Sequence, residues 1–135
     1  MDCIFCKIVS GNIPSKKVYE TARSLAFLDA FPLARGHTLV IPKEHYVKVQ
    51  EMSQQENADL FEAVRIVTER VGRLVPDSLV AIHNGRESGQ EVPHVHVHVI
   101  PRMRQDGAGP VHSMFKHRPK LEEAEIAEIL ETLTK

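Results

Sequence analysis

Residues 93–102 alternate histidine with valine and read Pro-His-Val-His-Val-His-Val-Ile-Pro-Arg. Successive side chains of a β-strand point to opposite faces, so His94, His96 and His98 are predicted to share one face, with the valines packed into a core behind them. Imidazoles in register carry a cost, because they repel one another when protonated and lose hydration when buried neutral. The segment therefore predicts a strand that displays histidines for a function.

One metal ion bound by all three histidines is an unfavourable alternative. His94 and His98 are four residues apart, which separates their backbones by about 13 Å in a strand. An ion could bind two neighbouring histidines easily and all three only with strain. We therefore expect the three side chains to have different roles.

The composition is that of one ordinary domain spanning residues 1–135. The 17 Lys and Arg residues nearly balance the 18 Asp and Glu residues, so we expect binding to neither nucleic acid nor membrane. The N-terminus lacks the pattern of a signal peptide, and we expect a cytoplasmic protein. In a reducing compartment, the Cys3-x-x-Cys6 pair favours a metal or redox site over a structural disulfide.

The pattern of apolar residues predicts an α+β fold, an antiparallel sheet with helices on one face. A long helix begins at the capping-box pattern of residues 53–56 and continues at helical spacing to Leu74, before Pro76. A short helical turn is predicted over residues 4–9 and an amphipathic helix over residues 122–133. The predicted strands are residues 16–20, 24–29, 37–41, 78–83 and the histidine segment.

Several further segments accompany the histidines. They are Cys-Ile-Phe-Cys-Lys-Ile at residues 3–8, Ala-Phe-Leu-Asp at 26–29, Gly-His-Thr-Leu-Val-Ile-Pro-Lys at 36–43, His45, Gly89-Gln90, and Ile-Pro-Arg at 100–102. Together they resemble the histidine-triad (HIT) family of nucleotide hydrolases and transferases, in the branch with an N-terminal C-x-x-C. The similarity spans residues 3–102, and residues 103–135 form a divergent tail.

The resemblance implies a five-stranded antiparallel sheet with one long and one shorter helix, and a homodimer whose sheets join. It also implies that His96 attacks the α-phosphate of a purine nucleotide and that water hydrolyses the resulting nucleotidyl-histidine. A neutral imidazole is a competent nucleophile near pH 7, provided that an acceptor, either a backbone carbonyl or His37, holds its other nitrogen. His98 would contact the phosphate, together with a backbone amide of the 90–92 loop. Because phosphoryl transfer needs mainly positioning and electrostatics, we expect no catalytic metal.

The family likeness also implies a nucleotide pocket. Asp29 would accept hydrogen bonds from the ribose hydroxyls, although it is also a plausible turn residue before Phe31-Pro32. The apolar positions implied for the base, each equally compatible with core packing, are Phe5, Ile8, Leu28, Ala30 and Leu39. The remaining implied nucleotide-binding positions are His83, Gln90, Glu91 and Val92.

The same likeness supplies two histidines for the cysteine pair, namely His45 and His94. Two thiolates and two imidazoles satisfy the tetrahedral preference of Zn²⁺ with no open position, so the predicted zinc is structural. A reduced, packed cysteine pair and a redox-active pair are the alternatives.

Two positions depart from the family pattern. His83 stands where relatives carry asparagine or glutamine, and Glu91 stands where they carry serine or threonine. An ionised carboxylate repels a phosphate. Either Glu91 points to solvent and offers only its amide, or it selects a substrate with a cationic leaving group. The tail lacks the tryptophan common in relatives, and its His112 and His117 are expected to be solvated.

The leading hypothesis is an enzyme that cleaves nucleoside phosphoramidates or dinucleoside polyphosphates. A purine-nucleotide-binding regulatory module with slow residual catalysis is the alternative, and a metal-dependent hydrolase using the triad is a third. The presence of His96 favours the first, since a pure binding module does not need a nucleophile.

Overall fold

The computed structural model describes residues 2–135, which form two compact units that meet in sequence between Arg104 and Gln105. The first unit contains a five-stranded antiparallel sheet of order β1-β2-β3-β5-β4, which confirms the predicted sheet. Its strands are β1 Lys17–Glu20, β2 Ser24–Leu28, β3 Thr38–Pro42, β4 Asp77–Ala81 and β5 Val97–Arg102. Its helices are α1 Ile4–Val9 and α2 Gln54–Val71.

Helix α2 begins at the predicted capping box. The Ser53 hydroxyl accepts from the Glu56 amide at 3.1 Å, and the Glu56 carboxylate accepts from the Ser53 amide at 3.1 Å. The helix ends at Val71, earlier than predicted, because Gly72 caps it and Leu74 is half exposed. Its buried face packs with one face of the sheet, and the main contributors are Leu60, Ala63, Val64, Val67, Ala26, Val40, Val95, Val97 and Val99.

The other face of the sheet is covered as well, by α1. Phe5 of this helix is buried with Leu25, Phe27, Leu39 and Ile41 of the neighbouring strands. The prediction that the helices lie on one face is therefore wrong for the first unit. The reason is that β2 and β3 are buried on both faces, which leaves no polar alternation to indicate an open side.

The strand of the histidine segment is shorter than predicted, since β5 begins at Val97 instead of Pro93. Pairing with β3 runs from Thr38↔Val99 to Val40↔Val97. Upstream of it, the Val95 amide donates to the Tyr46 carbonyl, which lies beyond the end of β3. The alternation of side chains nevertheless extends upstream. Val95 packs on the α2 face, whereas His94 and His96 both contact Phe5 on the other face.

Residues 105–135 form the second unit. Helix α3, Glu123–Leu133, agrees with the helix predicted over residues 122–133, and a single 3₁₀ turn covers Val111–Met114. His112 and His117 are exposed. Throughout residues 2–135, every helix is too short or too polar to cross a bilayer.

Candidate functional site

His96 is buried and held in a single orientation. Only 6% of its surface is exposed, and its Nδ1 atom lies 2.7 Å from the carbonyl oxygen of His94. A carbonyl can only accept, so Nδ1 carries the proton and Nε2 keeps its lone pair. The ring lies edge-on to Phe5, with 5.1 Å between the ring centroids. Of the two acceptors considered from the sequence, the structure therefore uses a backbone carbonyl.

His37 serves His98 instead of His96. The Leu33 amide donates to His37 Nδ1 at 3.0 Å, which places the His37 proton on Nε2. That Nε2 lies 2.9 Å from His98 Nδ1, which consequently accepts. The proton of His98 is then on Nε2, where it can be donated to a ligand. The rings of His96 and His98 are 5.1 Å apart, so a lone pair and a donor lie side by side.

The imidazoles of this cluster are neutral at pH 7. Burial lowers the pKa of His96 and of His37, and it lowers the pKa of His98 to about 4 with help from the neighbouring His96. The negative charges of Asp29 and Glu91 oppose the fall in the pKa of His96 without reversing it. A neutral His96 is the form in which Nε2 is nucleophilic.

Asp29 is a turn residue whose carboxylate also lies beside His37. One carboxylate oxygen accepts from the Phe31 amide at 2.8 Å, which is a turn contact. The other oxygen lies 3.5 Å from Nε2 of His37. The turn therefore holds Asp29 with one oxygen beside the histidine cluster.

In the loop before the histidines, one residue is hydrogen-bonded within the protein and the next two present backbone amides. Gln90 is buried, and its side chain accepts from the Gly85 amide at 2.8 Å and donates to the Val47 carbonyl at 2.9 Å. Both polar groups of the Gln90 side chain are therefore used within the protein, and the predicted contact of Gln90 with a nucleotide stays a prediction. Within residues 2–135, the amides of Glu91 and Val92 have no hydrogen-bond partner. The His83 ring lies 5.7 Å from the His98 ring, at the edge of the cluster.

The residues predicted for the apolar slot lie in different places. Phe5 and Leu39 lie in one buried cluster, and Ile8 and Val92 pack against it. Phe27, which sequence patterns do not single out, belongs to the same cluster, with its ring centroid 5.7 Å from that of Phe5. Its register opposite Leu39, which itself faces His98, is the signal that could have identified it. Ala30 is exposed on the turn after β2.

Leu28 was predicted for this slot, and that prediction is wrong. Leu28 pairs with Thr38, which pairs with Val99, and Val99 packs against α2 on the opposite face of the sheet. There Leu28 lines a small apolar crevice of about 110 Å³ beside Val71 and Leu74. A one-residue step along a strand reverses the face, and two adjacent apolar residues give no indication of which one faces the site.

The four residues predicted to bind metal lie together, with their ligand atoms all within 4.8 Å of one another. Cys3 Sγ is 3.4 Å from His94 Nδ1, Cys6 Sγ is 3.6 Å from the same atom, and Cys6 Sγ is 3.4 Å from His45 Nδ1. A tetrahedron with zinc–sulfur and zinc–nitrogen bonds of normal length has sulfur–nitrogen edges of about 3.5 Å. The donor set therefore fits Zn²⁺.

The surroundings of this cluster also suit a metal. His94 Nε2 donates to the Pro42 carbonyl at 2.8 Å, which leaves Nδ1 unprotonated and facing the thiols. Burial lowers the pKa of His94 to about 4, so its imidazole is neutral, as a ligand must be. Burial raises the pKa of the Cys6 thiol, so a cation is needed to favour the thiolate.

Comparison with known proteins gives consistent matches. A family profile described as the HIT domain matches residues 10–105. The adenosine 5'-monophosphoramidase hnt1 of Schizosaccharomyces pombe is 50% identical over 107 residues, covering 78% of this chain and 78% of that protein. The adenylylsulfatase HINT3 of Arabidopsis thaliana is 36% identical over 123 residues, covering 90% of this chain and 62% of that protein. The crystal structure of a HIT family member from Bacillus subtilis has a TM-score of 0.88 at 36% identity, covering 99% of this chain and 96% of that chain.

Proposed function

Because this chain belongs to the HIT domain family, we propose that it is a nucleotide hydrolase or transferase that acts through a nucleotidyl intermediate on His96. The observation that carries the proposal is the 2.7 Å bond from His96 Nδ1 to the His94 carbonyl. This bond leaves Nε2 as a lone-pair nitrogen on a buried, neutral ring.

In the first step, His96 Nε2 forms a bond to the α-phosphorus as the bond to the leaving group breaks. The electron pair of the broken bond stays on the leaving group, and a leaving amine takes up a proton from solvent as it departs. The ring then carries a positive charge, which the His94 carbonyl stabilises through Nδ1–H. The His98 Nε2–H and the amides of Glu91 and Val92 are the donors for the phosphoryl oxygens, where charge spreads in the transition state. In the second step, water attacks the phosphorus and releases a proton to solvent. The electron pair of the N–P bond returns to Nε2, and His96 departs as a neutral imidazole.

The nucleoside part of the substrate would bind beside the histidines. The base would lie against Phe5, Phe27 and Leu39, and a grip made of apolar contacts discriminates weakly between purines. The Asp29 oxygen that lies beside His37 would accept from the ribose hydroxyls. A purine nucleotide resembling AMP is therefore the proposed ligand.

An amine is the leaving group that the charges favour. Asp29 lies beside the histidines, and Glu91, although exposed, is near enough for its charge to act on His96, so both carboxylates would repel the charge of a long polyphosphate. A phosphoramidate carries less negative charge, and its amine can itself be cationic. The monophosphoramidase name of the fission-yeast relative supports the same choice.

We further propose that Cys3, Cys6, His45 and His94 hold a structural Zn²⁺, which would tie the N-terminal segment to the chain after β3 and to the histidine segment. Purified protein never exposed to chelator should contain about one equivalent of zinc. A content well below half an equivalent would rule the site out.

A homodimer and a cytoplasmic location are parts of the same proposal, as is a single domain over residues 1–135.

Turnover of a fluorogenic adenosine phosphoramidate tests the catalytic proposal. His96→Ala should lower kcat by at least about 10³-fold, because a covalent route is lost, whereas His112→Ala in the exposed tail should change nothing. Mass spectrometry of protein quenched during turnover should find the nucleotidyl mass on His96. Unchanged hydrolysis by His96→Ala would refute the proposal, and nucleotide binding without turnover by the parent would favour a regulatory binding module.

A further inference from the structure

The peptide group that joins His94 to Val95 is held at both of its polar atoms. Its carbonyl accepts from His96 Nδ1 at 2.7 Å, and its N–H, which belongs to Val95, donates to the Tyr46 carbonyl at 2.7 Å. Because a peptide group is planar, fixing the N–H direction fixes the carbonyl direction as well. The group that orients His96 is thus itself oriented by Tyr46.

Both residues that hold this peptide group in place, His94 and Tyr46, are metal-binding residues or neighbours of one. The carbonyl belongs to His94, whose Nδ1 is 3.4 Å from Cys3 Sγ. Tyr46 directly follows His45, whose Nδ1 is 3.4 Å from Cys6 Sγ. One tetrahedral ion would therefore fix His94, which supplies the carbonyl of this peptide group. It would also fix His45, whose neighbour Tyr46 accepts from the N–H of the same group.

We propose that the Cys3, Cys6, His45 and His94 site positions the nucleophile, by fixing the 94–95 peptide so that His96 is held as the Nδ1–H tautomer. This inference rests on the proposed zinc site and on the proposed role of His96. Tyr46 acts in it as a positioning residue, through its main-chain carbonyl. The zinc would thereby influence the reaction without contacting the substrate.

Other contacts keep this region folded when the metal is absent. The Pro42 carbonyl accepts from His94 Nε2 at 2.8 Å, and the Tyr46 hydroxyl donates to Glu56 at 2.7 Å. Loss of the metal should therefore shift the population of His96 tautomers instead of unfolding the site. A single hydrogen bond of this kind biases an equilibrium by about 5- to 10-fold, which is the size of effect to expect.

Nitrogen-15 NMR of histidine-labelled, full-length protein measures the tautomers directly. At pH 7.5, zinc-loaded protein should show His96 almost entirely as the Nδ1–H form. After chelation this fraction should fall severalfold relative to the Nε2–H form, and it should return when zinc is restored. His98 is an internal control, because His37 sets its tautomer and the metal does not.

Each other outcome overturns the inference. An unchanged His96 tautomer in stripped protein refutes it, and an equal change at His98 shows general loosening instead. If the stripped protein unfolds, the His45→Gln variant in the presence of zinc is measured in its place. An Nδ1–H fraction of His96 equal to that of the parent protein would then refute the inference. Failure to bind zinc overturns both the metal site and this inference. Unchanged turnover by His96→Ala overturns the catalytic proposal and with it the positioning of a nucleophile, and the NMR measurement then reports only whether the metal sets the His96 tautomer.

Discussion

His37 Nε2 lies 2.9 Å from His98 Nδ1, and together with the Leu33 amide it forms a relay of hydrogen bonds that runs in one direction. Each ring accepts at Nδ1 and donates at Nε2. His98 is therefore presented as a donor, whereas the neighbouring His96 is presented as an acceptor. Two histidines of the same strand segment thus receive opposite roles from different partners, one a side chain and the other a carbonyl.

Replacing His37 should weaken catalysis without abolishing it. His37→Phe keeps a ring but removes the donor to His98. Without that hydrogen bond the Nε2–H tautomer of His98 loses its preference, so kcat/KM should fall about tenfold, which is the effect of one hydrogen bond on an equilibrium. His37→Gln retains a donor and should recover part of the loss. Thermal unfolding of both variants, run in parallel, checks that folding is intact. A loss as large as that of His96→Ala would contradict the positioning role.

Stability should fall as the solution becomes acidic. The pKa of His94 is about 4 against an ordinary value of 6.5, so between these values the unfolded chain binds more protons than the folded chain. The free energy of unfolding therefore decreases as pH drops from 6.5 towards 4, by on the order of 3 kcal/mol for this fully buried ring. Urea unfolding of zinc-free protein at pH 7 and pH 4.5 measures it. A flat profile would contradict the neutral, buried His94.

Glu91 should control the choice of leaving group. Glu91→Thr removes a negative charge near His96. We compare kcat/KM for two substrates, the phosphoramidate of a diamine and a dinucleoside polyphosphate. The ratio of the first value to the second should fall about 3- to 10-fold. Glu87→Gln is the matched control, since it removes an exposed charge from the same loop. An unchanged ratio in Glu91→Thr would show that this exposed carboxylate does not act on the leaving group.

The two adjacent apolar residues of β2 should behave differently. Phe27→Leu loses the ring beside Phe5 and should weaken AMP binding severalfold, whereas Leu28→Ala should leave affinity unchanged because it faces α2. Calorimetric titration with AMP measures both. Equal weakening by the two variants would refute the placement of the base slot.

The parts that the sequence predicts well are those with a strong local signal. The alternation of valine with histidine predicts which side chains reach the site, and Ser53 with Glu56 predicts the start of α2. The cysteine pair and the family likeness predict all four members of the metal cluster. In each case a short pattern or a direct match to the family determines the outcome.

The parts that it does not predict depend on contacts distant in sequence. Phe27 and Leu28 are both apolar in a strand buried on both faces, and only the register with β3 distinguishes them. The structural role of Gln90 depends on Val47, more than forty residues away. The peptide between His94 and Val95 acquires its anchor from Tyr46, a main-chain contact that carries no side-chain signature.

The histidine strand occupies an interior position, with β3 on one side and β4 on the other. An interior strand cannot peel away from a sheet as an edge strand can, because two sets of backbone hydrogen bonds must break at once. The amides of Val97 and Val99 should thus exchange with deuterated solvent only when the entire unit opens. The geometry around His98 would in that case persist up to the melting transition, and heating would end activity abruptly instead of eroding it.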